Sequence, residues 1–170
     1  SNIDVAILCL TAVFIGCTDS VCPNGLVPIP EVNPELCIQP FEATLSEQQT
    51  ALSQKGQVPS IHVSLIEAMQ ACERTVVEGA PLKLVTYTEW VLAGGPKTYP
   101  WGDSYDNQCV LDTQSTHGQW SGVEKTGSMP RCVGDYGVYD QIGNAWEWVD
   151  LEQQARRDQW IEYVRQQGYE

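Results

Sequence analysis

Tyr136-Gly-Val-Tyr-Asp-Gln-Ile-Gly-Asn-Ala-Trp-Glu-Trp148 decides how the rest of the chain is read. Two Tyr and two Trp are interleaved with two Gly, an Asn and two carboxylates, Asp140 and Glu147, a pattern that fits neither an amphipathic helix nor a plain strand. Gly137 and Gly143 break any helix, and Gly143-Asn144 marks a turn because both residues tolerate positive φ. Trp146 and Trp148 carry enough apolar surface to anchor a core, and their indole N–H groups need partners once buried. Asp140 and Glu147 bracket a short irregular segment with free backbone carbonyls. Such an oxygen-rich loop can wrap a hard cation such as Ca²⁺, and turn-capping or solvated carboxylates are the plainer alternative.

This stretch resembles the signature of the formylglycine-generating enzyme and sulfatase-modifying-factor family, whose members carry an aromatic-Gly-Leu-Tyr-Asp-Met-x-Gly-Asn-Val-Trp-Glu-Trp run. The resemblance implies an α+β, C-type-lectin-like fold: two helices, short strands and much irregular loop. It also implies a structural Ca²⁺ held by the side chains of Asp140 and Glu147 and by the carbonyls of Gly143 and Ala145.

Working upstream, Tyr99-Pro-Trp-Gly-Asp103 and Lys83-Leu-Val-Thr-Tyr-Thr-Glu-Trp90 repeat two further family motifs in order. In the second, Thr86 with Glu89 predicts a capping box at the start of a helix, and Trp90 is expected in the core. Ser64 with Glu67 predicts another, opening a helix over residues 65–74 whose Leu65, Ala68, Met69 and Cys72 share one face. Leu26-Val-Pro-Ile-Pro30 and Cys37-Ile-Gln-Pro-Phe-Glu-Ala-Thr44 match the family's two opening strands. The resemblance therefore runs from about Leu26 to Asp150. A further Ca²⁺ site that the family places in the irregular stretch 103–130 does not align securely on Asn107, Asp112 or Glu124, and none of them is assigned to it.

Seven Cys in 170 residues, with no Cys-x-x-Cys and two isolated His, speak for disulfides in an oxidising compartment rather than structural zinc. Cys22 and Cys37 bracket one connection and Cys109 and Cys132 another, and each pair could close as a bridge; Cys72 is then left buried and unpaired on its helix. A net charge of −13 excludes a phosphate-binding surface, so nucleic acid is not expected as a partner. Val5 to Gly16 is almost wholly apolar and ends in Phe14-Ile-Gly-Cys17, which resembles a lipoprotein cleavage box with Cys17 as the lipid-bearing residue. Against this, Ser1-Asn-Ile-Asp4 has no basic n-region, and a buried strand reads the same way. The expected organisation is a signal-like segment over 1–17, a partial family domain over 18–150 and a C-terminal helix over 151–170. Export to a bacterial periplasm or outer surface, with a membrane lipid anchor, follows from the first.

The main departure from the family comes after Asp150. An Arg-Gly-Gly-Ser-Trp segment is absent, and the paired catalytic cysteines of the true generating enzymes lie in that half. No catalytic residue is assigned, and copper enters only if such a half exists. Two functions remain: a non-catalytic domain that recognises an unidentified protein or glycan, or a fragment of a copper-dependent oxidase converting a sulfatase cysteine to formylglycine.

Overall fold

The computed structural model describes residues 5–12, 22–30, 36–109 and 123–151. Within them, ten short strands and two helices make an α+β fold. The strands are β1 (Val5–Ala6), β2 (Cys9–Ala12), β3 (Val27–Ile29), β4 (Leu36–Ile38), β5 (Thr44–Leu45) and β6 (Ala51–Leu52). They continue as β7 (Val76–Val77), β8 (Ala80–Pro81), β9 (Lys83–Leu84) and β10 (Trp146–Glu147), with helices α1 (Leu65–Arg74) and α2 (Tyr87–Ala93) between them.

The principal sheet is antiparallel with strand order β3-β4-β2-β9. Leu10 stands opposite Ile38, and Cys9 opposite Leu84. Pro28 lies in β3 at the sheet edge, where a missing N–H costs no ladder bond. Residues 5–12 of the apolar run near the N-terminus thus supply two strands, β1 beside β10 and β2 between β4 and β9. Their alternation is simple: Ile7 and Cys9 enter a cluster with Ala68, Cys72 and Leu84, while Leu8 enters a second cluster with Ile29, Ile38 and Val85. A strand covered on both faces has no polar side to show, which is why it reads like the apolar core of a leader peptide. Cleavage before Cys17 would remove β1 and β2, and with them an interior strand of the sheet. The domain therefore begins before residue 18, at least as early as Val5. Cys17 itself lies outside the described residues, as does nearly all of the helix expected over 151–170.

Three disulfides tie the chain: Cys22–Cys37, Cys109–Cys132 and Cys9–Cys72. The first two are the expected pairs. The third corrects the expectation of an unpaired Cys72, because Cys9 at the start of β2 meets it inside the first buried cluster.

Both helices start as their capping boxes require. Ser64 Oγ accepts from the Glu67 N–H while Glu67 accepts from the Ser64 N–H, and Thr86 and Glu89 repeat the arrangement. Ala68, Ala71 and Cys72 are the buried face of α1, with Leu65 and Met69 packed at its margin. No helix among the described residues is long and apolar enough to cross a membrane.

Candidate metal centre

The signature stretch reaches its position through backbone pairing with both ends of the domain. β10 runs parallel to β1, with Ala6 opposite Glu147, and the Trp148 N–H donates to the Ala6 carbonyl. Asp150 then bridges to the start of α2: its N–H donates to Val85, and its carbonyl accepts from Tyr87. The two Trp end in different environments, because β10 stops at Glu147 and Trp148 lies beyond it. Trp148 packs on the first core cluster and its Nε1–H donates to the Val63 carbonyl at 2.6 Å. Trp146 points outward and is 68% exposed, so it does not anchor the core as its size suggested.

The turn before β10 is held in left-handed backbone at Asp140 (φ 57°), Gly143 (φ 101°) and Asn144 (φ 56°). Such a conformation costs a non-glycine residue something and persists only where side chains restrain it. Asp140 is restrained by two donors to Oδ2, the Gly127 N–H at 2.6 Å and the Thr126 hydroxyl at 3.1 Å. The Asn144 amide pairs with both backbone groups of Glu124, donating to its carbonyl at 3.1 Å and accepting from its N–H at 2.7 Å. The same Nδ2 donates to Glu42 Oε2 at 2.5 Å, and the Ala145 N–H donates to Glu42 Oε1 at 3.1 Å.

Three carboxylates thus gather here: Glu42, fully buried, Asp140, 7% exposed, and Glu147, whose Oε1 is buried with no hydrogen-bond partner. Burial pushes the Glu42 carboxyl up to about 8; the charge of Asp140 adds to this, and the Asn144 and Ala145 bonds oppose it. Burial also raises Asp140, against its two donors. Glu147 is raised well above the carboxylate range, first by burial and then by the charges of Glu42 and Asp140. The ion pairs among the described residues, Lys83–Glu89, Lys97–Asp135 and Arg131–Asp106, bring no cation to any of the three. Buried acidic groups without a cationic side chain among the described residues are an environment that a hard divalent cation would satisfy by displacing their protons.

The structure therefore brings Asp140 and Glu147 into one electrostatic cluster, with Gly143 and the buried Ala145 on the turn between them. No three His, Cys, Asp or Glu side chains among the described residues are arranged as a metal cluster, so carbonyl oxygens have to complete any coordination. Of the residues left unassigned, Asn107 is exposed, Glu124 braces Asn144 through its backbone, and Asp112 is outside the described residues. Sequence reasoning missed Glu42. Its signal is its place in the Cys37-to-Thr44 segment that matches the family's second opening strand, where an acidic residue sits between Phe41 and Ala43.

All six Cys among the described residues are in disulfides, and five of them (Cys9, Cys37, Cys72, Cys109 and Cys132) are buried.

Residues 26–169 match the family described as the Sulfatase-modifying factor enzyme 1-like domain, so the match continues past Asp150. A Bos taurus protein named inactive C-alpha-formylglycine-generating enzyme 2 is 31% identical over 117 residues, covering 62% of this chain and 37% of the relative. The chain thus spans little more than a third of the length of the curated relative it matches. No solved structure gives a significant match.

Proposed function

Because the chain belongs to the sulfatase-modifying factor enzyme 1-like domain family, we propose that it acts as a non-catalytic, exported member with a C-type-lectin-like scaffold, serving recognition of a protein or glycan partner. The observation that carries this reading is the state of the cysteines. Oxidation of a substrate thiol in this family needs a redox-active pair of cysteines, and every Cys among the described residues is committed to a structural bridge. The relative's own name, which calls that protein inactive, agrees with this reading. Three bridges also suit an oxidising compartment.

The scaffold is held by a Ca²⁺ ion whose ligands are the Asp140 and Glu147 side chains and the carbonyls of Gly143 and Ala145. The burial of the Asp140 and Glu147 carboxyl groups in one electrostatic cluster supports this assignment. The ion supplies charge balance and shape and takes no part in chemistry.

The test is an oxidase assay. The purified protein, loaded with Cu(I) and supplied with O₂ and a cysteine peptide from a sulfatase, is probed for peptide aldehyde with a hydrazide reagent. The expected result is no aldehyde above a protein-free control. Catalytic turnover would overturn the reading and revive the oxidase.

A further inference from the structure

Glu42 has no place in the ligand set, yet it is the most completely buried carboxylate residue of the site. Removing a carboxylate from water costs several kcal/mol, so one kept in a core has to fix something. Both of its oxygens are engaged more than a hundred residues along the chain, Oε2 by Asn144 Nδ2 and Oε1 by the Ala145 N–H. These two donors flank a single peptide, the one between Asn144 and Ala145. Drawing its N–H toward Glu42 orients the turn whose carbonyls belong to Gly143 and Ala145. Asn144 sits at φ 56°, where a non-glycine residue needs an external restraint, and its amide supplies one by bonding Glu42 and Glu124 together. The segment that carries Glu124 continues into the turn at Thr126 and Gly127, the two donors to Asp140. One hydrogen-bonded frame therefore grips both ends of the loop, and neither Gln141 Oε1 nor Glu147 Oε1 takes part in it.

We propose that Glu42 is the positioning residue of this loop: its carboxylate sets the Gly143-to-Ala145 turn so that the backbone carbonyls converge with Asp140 and Glu147 on a divalent cation, without itself ligating the ion. The proposal rests on the Ca²⁺ reading above. It makes the connection between β4 and β5 part of the cation site, so that ion binding is felt in the N-terminal half of the domain. Partners that orient ligands in this way typically contribute 10–100-fold to metal affinity.

The experiment compares the disulfide-intact wild type with E42Q, N144A and D140N by calorimetric titration with Ca²⁺, alongside thermal melting in chelator. Gln at position 42 keeps the shape but presents an NH₂ group to one of two donors. E42Q is expected to weaken the Ca²⁺ Kd at least tenfold with a melting temperature in chelator close to wild type, and N144A to weaken it less. An E42Q protein with a Kd within twofold of wild type, beside a D140N protein that binds poorly, would overturn the positioning role and leave the ligand assignment standing. A lowered melting temperature in chelator with unchanged Kd would also overturn it, since packing alone behaves that way. If E42Q does not fold, N144A decides, and a Kd within twofold of wild type sinks the proposal. A wild type that takes up no Ca²⁺ sinks the ligand assignment and the positioning role together.

Discussion

Cys9 on interior strand β2 is bonded to Cys72 on helix α1, with Cα atoms 5.5 Å apart and 63 residues of chain between them. The bridge pins the buried face of the helix onto the sheet, and it closes the longest loop of the three disulfides. Loop-closure entropy for that length is worth about 4 kcal/mol. The Cys9→Ser, Cys72→Ser double variant is expected to melt well below wild type, and non-reducing peptide mapping of the wild type should recover the Cys9 and Cys72 peptides joined. Recovery of Cys72 as an alkylated free thiol would contradict this.

Removing either acidic ligand should abolish the response to the ion rather than merely weaken the fold. At a hundredfold excess over Kd, Ca²⁺ binding is worth about 2.7 kcal/mol, on the order of 5–10 °C in melting temperature for a domain of this size. Asp140→Ala and Glu147→Ala are each expected to lose that increment in Ca²⁺ while changing less in chelator. Calorimetric scans with and without chelator read the difference, and identical wild-type scans in the two buffers would remove the site from consideration.

Glu42 predicts the pH response of the metal-free protein. Its carboxyl titrates at about 8 in the folded state against an ordinary 4.5. Folded protein therefore keeps a proton that the unfolded chain releases, and the contribution to stability is fully present below about 4.5 and is lost as pH rises through about 8. In chelator, the melting temperature should fall between pH 5 and pH 8.5, and E42Q should flatten that slope. Ca²⁺ favours the charged carboxylates, so its stabilising increment should grow over the same interval. A melting temperature in chelator that rises with pH across this range would contradict the assignment.

Gly127 is fixed by both space and backbone. It sits at φ +68°, and a Cβ there would lie 2.7 Å from Cε1 of Phe41, whose ring stacks on Tyr139 with centroids 5.1 Å apart. Gly127→Ala should cost about 2–4 kcal/mol from left-handed strain and overpacking combined, and should weaken Ca²⁺ binding because Gly127 also donates to Asp140. Urea melts in chelator give the first effect and titration gives the second.

The amino-acid sequence by itself determined the features whose physics is local. Ser64 with Glu67 and Thr86 with Glu89 specify both helix starts, because a capping box satisfies its own backbone donors within four residues. Cys22–Cys37 and Cys109–Cys132 were legible because each pair brackets one short connection. The family and its signature loop were legible from the ordered aromatic, Gly and acidic motifs. Tertiary structure alone decided what depends on distant segments meeting. Val5 to Ala12 could be a leader or a strand until β4, β9 and β10 flanked it, since a segment buried on both faces has no pattern to distinguish the two. Cys72 found Cys9 only because the start of β2 and the buried face of α1 share one core cluster. Trp146 is left to solvent and Trp148 meets the core because the distant Val63 carbonyl and the first core cluster receive only the second of them, which their i, i+2 spacing does not encode. Glu42 joined the Asn144–Ala145 turn across 103 residues, a partnership that no local spacing encodes.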